Sequence, residues 1–341
     1  MSRNRALGAL AALSLSALAL TACSSAAAPE EDVAAAAEPA ELTLYTSEPQ
    51  EKIDEIISAF NEKHPEITVE VFRAGTGDLT ARIAAEQKSG KIGADLLLAA
   101  DAGTFEDYAA QDLLLEYESP EAANLDEGLV DPEHFYVGTR LIPTVIAVNT
   151  NAITDPPKSW QDLTDPEYAG KIVMPNPDVS GAAAYNAAVW LDEPELGKDW
   201  LEGLAANKPL IADSNGPVSQ AVANGSNPVG IVVDSLVRDL AAAGSPIEAI
   251  YPEEGVPFVS QPVGIFADSE EPDAAKLLVD FLISKEGQEI AATQSYLPIR
   301  GDVTSPKGAP ALADIKLLNP DLEKIRASQK SAVETFNGLF K

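Results

Sequence analysis

Apolar and polar positions from residue 41 onward follow two alternating rhythms. LTLY (42–45), ITVEVF (67–72) and DLLLA (95–99) are short apolar or alternating runs of the strand kind. Between the first two, Ile53, Ile56, Ile57 and Phe60 recur at helical spacing. Ser47 and Gln50 stand at capping-box spacing before that helix, with Pro49 tolerated in its first turn, and His64-Pro65 stops it. AGTGD (74–78) predicts a glycine turn, and helix 79–89 follows, closed by Gly90. Strand and helix in strict alternation mark an α/β fold, and the wholly apolar DLLLA run suits a buried parallel strand.

The rhythm persists. Strands are expected at TVIAVN (144–149), KIVMP (171–175), PVGIVVD (228–234), EAIYP (248–252) and PVGIFA (262–267). Ser159 and Asp162 open a helix at SWQDL, and further helices are expected to Leu191, over 194–206, 217–224, 235–244 and 272–284, and from Asn319. Trp160, Trp190 and Trp200 have apolar neighbours at helical spacing and are assigned to the core. The length suggests two α/β lobes, and no disordered stretch marks a linker between them, which fits lobes joined by crossing strands.

Open α/β sheets bind ligands outside the carboxyl ends of their strands. Four strand ends here run into small polar residues and a helix start: Thr46-Ser47, Gly75-Thr76-Gly77-Asp78, Asp101-Ala102-Gly103-Thr104 and Ser180-Gly181-Ala182. Each offers unpaired backbone N–H groups at the positive end of a helix dipole, where an anion is the natural partner. Each alone is equally read as a helix cap that serves stability only. Asp101, Asp213 and Asp234 follow apolar runs and can receive an ammonium group or a metal, or simply cap helices. Tyr45 and Tyr185 can stack on a ligand, bind a hard cation as phenolates, or pack as ordinary aromatics.

Charge narrows the partners. The 341-residue chain has 23 basic and 54 acidic residues, a formal net charge of −31, which argues against nucleic acid. Its two histidines, His64 and His134, make histidine-rich metal sites poor candidates. There is no phosphate-binding loop with its lysine, no GxSxG elbow and no HExxH helix, so no enzyme and no cofactor is expected. A carboxylate-dependent secreted hydrolase is the remaining enzymatic alternative.

The N-terminus changes the picture further. Arg3 and Arg5 precede an apolar stretch from Ala6 to Leu20, short for a membrane span and suited to a signal peptide. Leu20-Thr21-Ala22-Cys23 resembles the bacterial lipobox, and Cys23 is the only cysteine, so it can form no internal disulfide. The expectation is a signal peptide over 1–22, an acylated Cys23 and a flexible tether over 23–40. That places the protein outside the cytoplasm, lipid-anchored to the outer face of the cytoplasmic membrane.

ELTLYTSEPQEKIDEIISAFNEKHPEITVEVFRAGTGDLTARIAAEQKSGKIGADLLLA resembles the opening of bacterial extracellular solute-binding proteins. SWQDLTDPEYAGKIVMPNPDVSGAAAYN is similar to a second stretch of that family, and LLVDFLISKEGQEI followed by LPIR to a third. The branch is that of the ferric-iron and 2-aminoethylphosphonate binding components of ABC importers. The resemblance implies a two-lobed clamp of type II topology, with each lobe a mixed sheet flanked by helices. The chain would cross between lobes near 138–144 and 258–264, giving one lobe from 41–138 with 262–305 and another from 139–261 with 306–341. Ligand would sit between the lobes, a hinge would close them, and a membrane permease would receive the solute. Nothing suggests an obligate oligomer, so a monomer is expected.

The departures from the family pattern bear on the ligand. Adjacent tyrosines that hold iron in many ferric members are replaced by Asp234-Ser235, and the histidine that some place after the first strand by Ser47-Glu48-Pro49. A small phosphonate or phosphate ester, anionic or zwitterionic, fits the retained parts, with Asp101 or Asp234 taking any ammonium. The alternative is ferric ion on Tyr45, Asp101, Tyr185 and Asp234, with or without a bridging anion. The site expected on this reading comprises Thr46, Ser47, Gly75, Thr76, Gly77, Asp101, Ser180, Gly181, Ala182, Tyr185, Asp213 and Asp234.

Overall fold

A computed structural model describes residues 39–341 except 126, 311–313 and 319. The expected signal peptide, Cys23 and nearly all of the expected tether lie outside the described residues. Two sheets organise the rest. The first has five strands in the order β2 (Ile67–Arg73), β1 (Ala40–Thr46), β3 (Leu96–Leu98), β11 (Pro262–Ile265) and β4 (Val137–Gly138). Its first part follows the alternation read from the pattern: β1 (Ala40–Thr46), α1 (Gln50–Lys63), β2 (Ile67–Arg73), α2 (Thr76–Ser89), β3 (Leu96–Leu98) and α3 (Ala102–Ala109), except that Thr76, Gly77 and Asp78, expected in a turn, already belong to α2. β1 pairs in parallel with both β2 and β3. Alternation along the strands feeds two cores. Leu42, Leu44, Leu96 and Leu98 join Ile53, Ile56 and Phe60 of α1, while Tyr45 and Leu97 turn to the other face, toward Leu79, Ile83 and Phe105.

The chain leaves that sheet through β4 (Val137–Gly138) and enters the second at β5 (Ile142–Asn149). The second sheet runs β10 (Phe258–Val259), β5, β8 (Val229–Val233), β6 (Ile172–Pro175) and β7 (Leu210–Ala212), with β9 (Ile247–Ile250) also paired to β5. It comprises β6 (Ile172–Pro175), followed by α4 (Gly181–Asp192) and α5 (Gly197–Ala206), and β7 (Leu210–Ala212), followed by α6 (Asn215–Ala223). β8 (Val229–Val233) leads into α7 (Asp234–Ala242), then β9 (Ile247–Ile250) and β10 (Phe258–Val259). The chain then returns to the first sheet as β11 (Pro262–Ile265), antiparallel to β3. α8 (Pro272–Ile283) and α9 (Lys285–Thr293) follow, and α10 (Leu322–Phe340) closes the chain against α4, α5 and α3. None of the described helices is long and apolar enough to cross a membrane.

Several local expectations are corrected. The capping box at Ser47 does not form: Pro49 is the N-cap of α1 without a side-chain bond, and Ser47 Oγ instead accepts from Ala100 N at 3.3 Å. SWQDL makes only a 3-10 turn, although Ser159 Oγ accepts from Asp162 N at 3.1 Å and Asp162 accepts from Ser159 N at 3.1 Å. Pro166, two residues past that turn, disfavours its continuation as a longer helix. α6 starts at Asn215, two residues before the position expected, because Pro217 is harmless in a first turn. β7, three residues at a sheet edge, and α9, which is set off from α8 by the Ser284 cap, had no clear periodic signal. The three tryptophans are buried together, with ring centroids 5.4–6.2 Å apart.

Candidate ligand-binding cleft

The strand ends of the two sheets face one cavity of about 660 Å³. Five helix starts contribute to its wall: Pro49 before α1, Gly75 and Thr76 at α2, Ser180 and Gly181 at α4, Ser214 and Asn215 at α6, and Val233 and Ser235 at α7. Four of the five helices have no side-chain cap. Their leading amides therefore lack a capping side chain, although Gly77 N of α2 donates to Val179 O at 3.4 Å, and each helix start carries a partial positive charge of about half a unit.

The fifth, α4, is capped by Ser180, which is 9% exposed. Ser180 Oγ accepts from Ala183 N at 3.3 Å and from Asn215 Nδ2 at 3.0 Å. A hydroxyl has two acceptor lone pairs and one proton. Both acceptor positions are taken, so the proton is left to donate, and Ser180 lines the cavity. Val233 N donates to Asn215 Oδ1 at 3.3 Å, which fixes the asparagine so that its amide points at Ser180.

The small residues of DVSGAAAYN have a packing reason. A Cβ on Gly181 would lie 2.8 Å from Ala100 O and 2.8 Å from Thr76 Oγ1, so the start of α4 touches the loops of the first sheet directly. Gly77 is equally tight: its Cβ would fall 2.1 Å from Asp178 O. These approaches pinch the two sheets together beside the cavity.

Arg73, at the end of β2, supplies a cationic side chain to the cavity. Its Nε donates to Glu48 O at 3.2 Å, and it makes no ion pair among the described residues. Glu48, Gln261 and Tyr296 also line the cavity. Glu48 is 1% exposed and accepts from Gln261 Nε2 at 2.6 Å and Tyr296 Oη at 2.6 Å. Burial and the adjacent carboxylate push the Tyr296 phenol well up, which keeps its proton available for that bond. Asp78 and Asp213 are the other acidic groups on the lining, both exposed.

Of the residues expected at the site, Ser47, Gly75, Thr76, Ser180, Gly181, Ala182 and Asp213 line the cavity. Thr46, Gly77, Asp101, Tyr185 and Asp234 do not, and physical partners explain their positions. Thr46 Oγ1 donates to Leu98 O and accepts from Glu48 N, shaping the loop behind the wall. Asp101 caps α3: it accepts from Gly103 N, from Thr104 Oγ1 at 2.7 Å and from Gln329 Nε2 of α10 at 3.0 Å. Its carboxyl is 5% exposed, and burial holds it above the ordinary carboxylate range. Tyr185 is enclosed in the core, where burial raises its phenol. Asp234, fully buried, pairs with Arg238 at 2.5 Å and accepts from Tyr251 Oη at 2.9 Å. Tyr45 donates to Glu86 at 2.9 Å. The four groups weighed as ferric ligands are thus committed elsewhere and away from the cavity. Among the described residues no cluster of three His, Cys, Asp or Glu side chains is arranged for a metal.

Arg73, Asn215 and Glu48 were missed as site residues. A basic residue closing a strand just before a glycine turn is a usable signal for Arg73. Asn215 had none, because its partner Ser180 is 35 positions away.

Residues 92–328 match the model of the bacterial extracellular solute-binding proteins. The chain belongs to this family. A probable ABC transporter periplasmic-binding protein of Sinorhizobium fredii is 28% identical over 274 residues, 74% of this chain and 72% of the relative. A putative 2-aminoethylphosphonate-binding periplasmic protein of Salmonella paratyphi A is 26% identical over 257 residues, 70% of this chain and 71% of the relative. Among solved structures, the periplasmic binding protein AfuA of Actinobacillus pleuropneumoniae, with exogenous fructose 6-phosphate bound, superposes with a TM-score of 0.81. It is 25% identical and the match covers 88% of this chain and 98% of that one. Iron-bound HitA of Pseudomonas aeruginosa matches with a TM-score of 0.78 at 23% identity, covering 88% and 99%, a likeness of fold. The fold of this solute-binding protein is the two-lobed type II periplasmic-binding-protein fold, a mixed sheet flanked by helices in each lobe.

Proposed function

We propose that this solute-binding protein serves an ABC importer and captures a small phosphonate or phosphate ester, anionic or zwitterionic, between its lobes. The observation that carries the reading is Ser180: its acceptor positions are filled and its donor proton remains, in a cavity walled by five helix starts and Arg73. Such a wall gathers donors and partial positive charges around Ser180, beside the acidic Glu48, Asp78 and Asp213, and a tetrahedral oxyanion supplies the acceptors those donors need. The relatives named for an ABC transporter and for 2-aminoethylphosphonate, and the sugar phosphate in AfuA, support the same class. Binding without chemistry is the expected outcome for the solute.

In this reading residues 41–138 with 262–305 make one lobe and 139–261 with 306–341 the other, and closure about the crossings traps the ligand. A permease then accepts the solute from a monomeric receptor. Cys23, acylated, holds the receptor at the outer face of the cytoplasmic membrane; Cys23→Ser should release the full chain from the membrane fraction of a bacterial host.

Thermal melting with 2-aminoethylphosphonate, fructose 6-phosphate, inorganic phosphate, spermidine and ferric citrate tests the ligand class. A ligand of the folded state at 100 times its Kd stabilises by about 2.7 kcal/mol, a shift of several degrees. A rise with the phosphorus oxyanions supports the proposal. A rise with ferric citrate or spermidine alone overturns it.

A further inference from the structure

The two segments by which the chain passes between its sheets lie side by side. Thr139 N and Arg140 N donate to Ser260 O at 2.9 and 3.1 Å, and Thr139 Oγ1 donates to Gln261 O at 2.7 Å. Gln261 sits at φ 42°, the left-handed region that disfavours a residue with a Cβ. A side chain from outside this ribbon holds it. Glu48 Oε2 accepts from Gln261 Nε2 at 2.6 Å and lies 3.2 Å from Arg140 Nη1. Glu48 Oε1 accepts from Tyr296 Oη at 2.6 Å. Glu48 and Arg140 are each 1% exposed. Loss of one partner from a charge pair this deeply buried is strongly destabilising, because the other charge is then stranded away from water.

Glu48 is also part of the cavity wall, and its backbone oxygen holds the Arg73 guanidinium stem at 3.2 Å. One residue therefore touches both passes of the chain and the arm of the cation that faces the ligand. We propose that Glu48 is a positioning residue that couples occupancy of the cavity to the hinge. A ligand that draws on Arg73 loads the Glu48 backbone, and the Glu48 carboxylate carries that load to Arg140 on one crossing and to Gln261 on the other. Without the carboxylate the crossings lose their common anchor, and the closed arrangement becomes one of several. The inference rests on the hinged two-lobe reading above.

The test is the distance between spin labels at Glu62 of α1 and Glu202 of α5, both exposed, in full-length chain carrying Cys23→Ser. It is measured without ligand and with saturating inorganic phosphate. Glu48→Gln is expected to broaden the distance distribution in both states and to weaken phosphate binding about tenfold. Glu48→Gln with Arg140→Met removes both buried charges, so its melting temperature should recover while its distance distribution stays broad. That double variant carries the test should Glu48→Gln alone fail to fold. A distribution as narrow as the parent's in a folded variant, or one that recovers together with stability, overturns the proposal and leaves Glu48 a structural residue only. Failure of the parent to bind phosphate counts against the ligand class and not against the hinge, because the ligand-free distances still decide the latter.

Discussion

Asp101 and Ser180 stand at the same kind of place. Each is a short polar side chain between a strand of its sheet and a following helix, with a glycine one or two residues on. Each caps its helix, Asp101 through Gly103 N and Ser180 through Ala183 N. Yet Ser180 lines the cavity with a donor unspent, and Asp101 does not line it. The difference lies in what packs over them. α10 crosses α3 and spends Gln329 on the Asp101 carboxylate, with Arg326 paired to Asp107 at 3.2 Å nearby. At Ser180 it is Asn215 that arrives, and it donates, which leaves the hydroxyl proton looking for an acceptor. Capping is a local property of helix starts; availability to a ligand depends on the third element that closes over them.

That contrast breaks most sharply at Gly181. Gly181→Val places branched bulk where a Cβ alone already meets Ala100 O and Thr76 Oγ1 at 2.8 Å. The loops of the two lobes are forced apart, and binding of the organophosphate that passes the melting test should fall at least about a hundredfold. Calorimetry reads this, and retention of binding within tenfold would show that the Ser180 loop does not meet the ligand.

Ser180→Ala is milder. It removes one donor to a charged ligand, about 1.5 kcal/mol or roughly tenfold in Kd. It also removes the cap of α4, at about 1 kcal/mol of stability read by urea unfolding. A loss of stability with unchanged Kd would reduce Ser180 to the same role as Asp101.

Asp101→Asn has the smallest expected effect on binding, within about twofold on the same titration, because the residue serves α3 and α10. Its signature is in pH. Burial raises the Asp101 carboxyl, so the folded chain keeps the proton to higher pH than the unfolded chain does. The stability that linkage contributes is present in full below about 3.8 and is lost as pH rises through the folded-state value. The amide has no proton to lose, so urea unfolding from pH 4 upward should show the variant gaining on the parent. A constant difference between the two across that range would mean that Asp101 titrates normally.

Much of this protein was legible in its sequence. Strand and helix alternation, the buried run at Leu96–Leu98, the presence of α2 with its Gly90 stop and the cap at Ser180 are local signals, because backbone hydrogen bonding and side-chain periodicity act over a few residues. The three family-like stretches carried the two-lobed fold. What the sequence left open were contacts between distant residues. Whether Asp101 or Ser180 keeps a free donor or acceptor depends on Gln329 and Asn215, 228 and 35 positions away. That Asp234 meets Arg238 and Tyr251 in the core follows from how α7 packs on β9. That Arg73 reaches the cavity and Glu48 reaches both crossings follows from the return of the chain at Gln261, 213 positions beyond Glu48. Periodicity decides which residues form an element, and only the packing of elements decides which of their polar groups are already satisfied.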